Sequence, residues 1–366
     1  MLFSPPQKIN HSASLLLVAS MTRFSIFVFL CFLFTTITHA ATTNGAGSSA
    51  AAPLYNKWAE AYSKKTGLTL DYQPAGSSAG IKQIKARSVD FGASDVAMTK
   101  LDLKNEKLIQ FPSAISGVVP VVNLPNIKTG ELKLDGELLA DIFSRKISFW
   151  DDAAIAKLNP SQRLPHKAIA VIVRQDGSGT TYNFTDYLSK ISPSWAASYG
   201  KNFTIKWHSE LTQIKGSSGI SAGVEKTPYS ISYIDYNYVL KDKLNYAVMK
   251  NRDGRFVPPS ASAFETALNN SEWKSRGNFE QMLTDKPGNN SWPITVGTFV
   301  IVPLNAKSPE KAIAVLKFFT WGFMNGDYLV NTVDLVRLPD CIQARIYKEM
   351  TTVTDALGKP LQWSPQ

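Results

Sequence analysis

The chain has 366 residues, 44% of them hydrophobic and 11% aromatic, which is enough to bury a core in two domains and too apolar for a disordered chain. Its formal charge is +10, from 39 Lys and Arg against 29 Asp and Glu. The basic residues are scattered without runs of five or six, which speaks against a nucleic-acid footprint and for a generally anion-friendly surface.

The first element in chain order is an export signal. Arg23 precedes an apolar run from Phe24 to Ile37, and Thr38-His39-Ala40 forms a cleavage point before Ala41. Residues 1–40 are therefore read as a signal peptide, with translation beginning at Met1 or at Met21. The run is shorter than the ~20 apolar residues of a membrane span, and nothing after it approaches that length, so the mature chain is expected to be soluble and outside the cytoplasm. Loss of Lys8 and Arg23 lowers the formal charge to +8. Cys31 lies inside the signal and lacks the small neighbours of a lipidated cysteine, which leaves Cys341 with no partner for an intrachain disulfide.

Apolar residues at helical spacing (Leu54, Trp58, Ala61, Tyr62) predict a helix over 51–66 that stops at Gly67. Leu68–Tyr72 reads as a strand, Gly76-Ser77-Ser78 opens a second helix through Ile81 and Ile84, and Val89–Ala93 is a short strand delivering Ser94-Asp95 to a loop. Val118–Val122 is a continuous apolar strand, after which the chain is expected to cross into a second domain near Asn123, with turns at Gly130, Gly136 and Pro160. Ala168–Val173 is a buried strand aimed at Arg174, Thr180–Ile191 is a helix, and Gly216–Val224 repeats a glycine-serine theme before Ile231–Tyr233. A return strand, Ile294–Val302, and a helix from Pro309 to about Phe323 close the pattern. Residues 153–165 and 251–260 read as surface connections. The repeated strand, loop and helix is the rhythm of an α/β protein with sites at strand ends.

Three small-residue loops each run into a helix: Gly45–Ser49, Gly76–Ser78 and Asp176–Thr180. A helix N-terminus carries unpartnered N–H groups and roughly half a positive charge, so three converging ends would wrap a small oxyanion in donors. Arg174 adds a fixed bidentate cation, and Asp176, two residues on, can hold its fork in place. Ser217, Ser218 and Lys215 are read as a turn.

These motifs, in this order, resemble the bacterial periplasmic phosphate-binding proteins of phosphate ABC transporters. The likeness spans the mature chain through Gly45-Ala46-Gly47, Tyr72–Ser78, Val89–Asp95, Phe149-Trp150-Asp151-Asp152, Arg174–Thr180, Trp292–Thr295 and Leu316–Phe319. It implies a two-lobed type II periplasmic binding protein fold of the α/β class, each lobe a mixed sheet flanked by helices, with the ligand in the interdomain cleft. Lobe I is expected over 41–122 and 293–366, and lobe II over 123–292. It further implies a periplasmic monomer without cofactor or metal, which binds inorganic phosphate and hands it to the membrane permease of an importer driven by a cytoplasmic ATPase. Carried over by position, the phosphate ligands would be Ser49, Ala50, Ser77 and Asp95 from one lobe and Arg174, Ser178, Gly179 and Thr180 from the other. The family usually has Thr-Phe where this chain has Ser49-Ala50. Serine keeps the hydroxyl, and alanine keeps the backbone N–H.

A carboxylate such as Asp95 beside a dianion makes sense as a selector. Hydrogen phosphate has a proton for it to accept, whereas ionised sulfate has none. The alternative is a secreted phosphomonoesterase using Ser178 or Ser49 as nucleophile. His166 and His208, the only histidines beyond the signal, stand in no metal-ligand spacing, and no nucleophile-elbow pattern surrounds Ser178.

Overall fold

A computed structural model describes residues 1–4, 42–277 and 279–364, so the apolar run and the cleavage point of the expected signal lie outside the described residues. Nine strands form one mixed sheet: β1 (Thr42–Gly47), β2 (Thr69–Gln73), β3 (Phe91–Ser94), β4 (Leu108–Asn123), β5 (Ala170–Arg174), β6 (Thr212–Ile214), β7 (Ser230–Asp235), β8 (Asn245–Tyr246) and β9 (Thr295–Pro303). Their order is β2-β1-β3-β9-β4-β7-β5-β6, with β8 also pairing β4. β1 lies parallel to β2 and β3, β9 is antiparallel to β3 and β4, and β7 is antiparallel to β4 but parallel to β5.

The long strand β4 serves both halves of this sheet. Leu108–Gly117 zips against β9, and Val118–Asn123 pairs with β7. Sequence pattern suggests only 118–122, because Gln110, Pro112 and Ser113 interrupt the apolar run before it. The structure accommodates Pro112 at a bulge: Thr298 faces Ala114 and Phe299 faces Pro112, so Ser113 is left unmatched. Helices cover both faces, and all of β4 except Gln110 and Asn123 is buried.

Helix α1 (Ala52–Thr66) starts with Pro53 in its first turn and ends at Gly67, whose φ of 75° only glycine adopts without cost. It buries Leu54, Tyr55, Trp58 and Tyr62. Trp58 stands edge-on to Phe323 of the helix Pro309–Asn325 at 5.8 Å, and its indole N–H donates to Gly326 O at 3.1 Å. Each such fully buried side chain stabilises the fold by ~1.5–3 kcal/mol. On the other half, Phe184 stacks on Tyr233 at 4.2 Å and meets Phe143 edge-on at 4.8 Å.

Several local expectations are corrected. Gly45–Gly47 belong to β1 rather than to a loop, because they pair in register with Phe91–Ala93. Gly136, read as a turn, opens a helix (Gly136–Phe143) in which Asp135 Oδ1 accepts from the Leu138 N–H at 2.9 Å. Residues 153–158 of the expected surface connection are helical, started by Asp152 Oδ1 accepting from the Ala154 N–H at 2.8 Å. Phe256–Val257, in the other expected connection, pairs with Val248–Lys250.

Helix α2 (Ser77–Lys85) approaches the ends of β1 and β3 through Gly80. A Cβ there would lie 2.6 Å from both Gly47 Cα and Ala93 O, which are backbone atoms that cannot rotate away. Gly80→Ala is therefore expected to destabilise the protein by about 1–3 kcal/mol despite alanine's better helix propensity. Urea denaturation checks this, and an unchanged or raised midpoint would refute the close-approach argument.

Candidate functional site

Three loop-to-helix junctions meet at the strand ends. The turn Ser48–Ala51 leads from β1 into α1. Gly76, with φ 93°, leads from β2 into α2, and its N–H donates to Gly47 O at 2.8 Å. Asp176–Ser178 leads from β5 into helix α3 (Gly179–Ile191), capped by Ser178 Oγ accepting from the Thr181 N–H at 3.2 Å. The amides of Gly179 and Thr180 lie in that first turn, where no helical carbonyl precedes them.

The junctions are in direct contact. A Cβ on Gly179 would stand 2.4 Å from Ser77 Oγ and 2.7 Å from Asp95 Cβ, so only glycine lets α3 come this near. Asn183 Nδ2 donates to Asp95 O at 2.8 Å, and the Ser78 N–H donates to Gly177 O at 3.1 Å. Ser49 Oγ and Ser217 Oγ are 2.8 Å apart, although 168 residues separate them.

Every residue expected at the site, Ser49, Ala50, Ser77, Asp95, Arg174, Ser178, Gly179 and Thr180, is buried in this one region. The Ala50 amide donates to Ser48 Oγ at 3.1 Å, within its own turn. Ser77 Oγ donates to Asp95 Oδ2 at 3.3 Å, and Thr180 Oγ1 donates to Asp235 Oδ2 at 3.0 Å. Arg174 donates through Nε to Asp176 Oδ1 at 2.8 Å, through Nη2 to Asp176 Oδ2 and through Nη1 to Ser217 Oγ at 3.2 Å. Among the described residues, two of its five N–H donors remain, one on each terminal nitrogen.

Ser217 is a correction: read as part of a turn, it is buried among these groups at the N-terminus of helix α4 (Ser217–Lys226). Sequence reasoning also missed Ser48, Thr298 and Asp235. Ser48 Oγ lies 2.6 and 2.7 Å from the two oxygens of Asp95, and Thr298 Oγ1 donates to Asp95 Oδ1 at 2.7 Å. Asp235 stands at the carboxyl end of β7, where the strand-end rule for α/β sheets could have found it. Thr298 sits inside β9, and no motif marks it.

Electrostatically the region holds one cation and three acids. Burial disfavours the Arg174 charge, but Asp176 more than offsets it and the guanidinium is held above its ordinary range. Burial likewise pushes against the Asp176 carboxylate, and the Arg174 bond overrides it, leaving Asp176 below the usual range. Asp95 is raised by burial, while hydroxyls of Ser48, Thr298 and Ser77 pull it back. Asp235 is pushed up to about 7 by burial and by the facing Asp95 charge, against the pull of Arg174, Thr180 and Ser217.

Neither histidine takes part. His166 Nδ1 pairs with Asp151 at 2.9 Å, and His208 Nδ1 accepts from the Glu210 N–H at 3.4 Å. Among the described residues, no group of three or more His, Cys, Asp or Glu could hold a metal ion, no helix is long and apolar enough to cross a membrane, and Cys341 is an exposed free thiol.

Two half-sheets sharing β4, with short alcohols, first-turn amides and one guanidinium meeting between them, define a substrate-binding protein of the two-lobed type II class. Comparison with known proteins narrows the class. Residues 35–323 match the model of the PBP superfamily domain. The phosphate-binding protein PstS of Pasteurella multocida is 44% identical over 91% of this chain and 97% of the relative. The PstS protein of Haemophilus influenzae is 42% identical over 86% and 93%. A solved high-affinity periplasmic phosphate-binding protein, bound with phosphate at pH 8.5, superposes with a TM-score of 0.66 at 20% identity, covering 84% of this chain and 93% of its own. The chain belongs to the PBP superfamily and, within it, to the PstS family of phosphate-binding proteins.

Proposed function

We propose that this protein binds inorganic phosphate between lobe I (41–122 and 293–366) and lobe II (123–292) and delivers it to the permease of an ABC importer, leaving the ligand chemically unchanged. It works in the periplasm as a monomer. The observation that carries the reading is the buried convergence of Ser49, Ser77 and Asp95 with Arg174, Ser178, Thr180 and Ser217. Backbone amides of Ala50, Gly179 and Thr180 complete the proposed ligand set.

Hydrogen bonds to a charged group contribute ~1.5–3 kcal/mol each, against ~0.5–1.5 for neutral pairs, so several together outweigh the costs of desolvation and closure. Asp95 accepts the proton of hydrogen phosphate. Closure over the anion gives the permease a loaded shape that differs from the empty one. The names of the relatives and the phosphate-bound structural neighbour support this assignment.

Phosphate released on denaturing protein purified without added phosphate, at close to one per chain, is the expected result. Calorimetry on the stripped protein should then give tight phosphate binding and none with sulfate. Absence of any phosphate binding refutes the reading. Turnover of a chromogenic phosphate ester, lost in Ser178→Ala, would replace it with the phosphomonoesterase alternative. That alternative has no histidine to activate its nucleophile, since none is among the hydrogen-bond partners of Ser49 or Ser178 among the described residues.

A further inference from the structure

Asp235 is a fully buried carboxyl at the heart of the donor cluster, and its two oxygens are treated very differently. Oδ2 faces Thr180 Oγ1 at 3.0 Å and Ser217 Oγ at 3.3 Å. Oδ1 is buried and has no hydrogen-bond partner among the described residues. The other two acids nearby are well supported. Asp176 is held by the Arg174 fork and the Gly216 N–H at 2.9 Å, and Asp95 by the hydroxyls of Ser48, Ser77 and Thr298. Each carboxylate charge in the region repels an entering dianion, and of the three carboxyls Asp235 has the weakest support for a charge.

A hydroxyl has one hydrogen to give. When Asp235 is ionised, Oδ2 draws the hydrogens of Thr180 and Ser217 onto itself, and those hydroxyls then face an incoming anion with lone pairs. When Asp235 is protonated, its own O–H donates to the nearer hydroxyl, Thr180, and the Thr180 hydrogen is released toward the anion. We propose that Asp235 is a proton-carrying positioning residue of the anion site, which sets Thr180 as a donor and so makes phosphate bind together with one proton. This deepens the phosphate reading and rests on it.

The groups facing Asp235 are Asp95 at the end of β3, Arg174 from β5, Thr180 from α3, Ser217 from α4 and Tyr238 from the helix Tyr236–Lys241, with Asp176 behind the guanidinium. Its ordinary range is far below neutrality, and burial with Asp95 opposite raises it toward 7, so the proton is present below neutrality and leaves as pH rises through it. A bound anion favours the protonated form further. Affinity supported by this proton is therefore complete at acid pH and declines on the alkaline side.

Calorimetric titration with phosphate from pH 6 to 9 tests the inference on the wild-type protein and Asp235→Asn, whose amide donates without titrating. Taking the ratio of the two Kd values cancels the ionisation of phosphate itself. The ratio of wild-type to variant Kd is expected to climb about tenfold per pH unit above neutrality, relative to its value at pH 6. Buffers of different ionisation enthalpy should show about one more proton taken up per phosphate by the wild type at pH 8.5. A ratio that stays flat, with equal proton counts, overturns the inference and leaves the phosphate reading standing. Loss of phosphate binding by the wild type at every pH overturns both. If Asp235→Asn does not fold, Asp235→Ser, which likewise carries no titrating proton, takes its place in both measurements, with the same outcomes.

Discussion

Asp95→Asn is expected to narrow the preference for phosphate over sulfate by about 10³-fold or more. The carboxyl is 3% exposed; burial works against its charge, and the hydroxyls of Ser48, Ser77 and Thr298 partly offset that while leaving room for one more donor. Hydrogen phosphate supplies that donor. Sulfate cannot, and its like charge would meet a buried acceptor with nothing to accept. Sites built around a ligand hydroxyl reject the analogue lacking it by ~10⁴ or more. Asparagine presents N–H to sulfate and still offers a carbonyl to the phosphate proton, so phosphate affinity should fall only about tenfold while sulfate affinity rises steeply. Competition calorimetry in sulfate buffer measures both changes. A variant that excludes sulfate as the wild type does would remove the selector role from Asp95.

Arg174→Met should weaken phosphate binding by roughly 10²–10⁴-fold, because truncating one partner of a buried charge pair costs about 3–5 kcal/mol. Two effects combine. The ligand loses the guanidinium donors left over after Asp176 and Ser217 are served, and Asp176, 10% exposed at its side chain, keeps a charge whose cation has gone. Arg174→Lys should not restore affinity, since a single ammonium cannot pair both Asp176 oxygens and still reach the anion as a fork. Thermal unfolding run beside the calorimetry separates the two contributions. Binding by Arg174→Met within tenfold of wild type would mean the anion does not rest on this guanidinium.

The difference between what was legible and what was not follows the range of the interactions. Helix starts at Gly76 and Ser178 and the helix stop at Gly67 depend on residues a few positions apart, and the structure has them at or next to the expected places. The first ten residues of β4 were hidden because Pro112 is accommodated at a bulge in β4 that only pairing with β9, nearly two hundred residues downstream, defines. Ser217 looks like a turn residue in isolation, and only contact with Ser49, Arg174 and Asp235 brings it into the cluster. Thr298 carries no signal, since a threonine in a strand is ordinary and its partner Asp95 lies 203 residues away.

Sequence alone determined the α/β rhythm, the three small-residue junctions, the family resemblance, and Arg174 with Asp176 as neighbours, because each is written in local spacing. Tertiary structure decided that Asp95, Asp235 and Arg174 are buried together and act on one another's charges. Charge states and hydroxyl directions there depend on burial and on groups brought in from distant segments, and a linear string encodes neither.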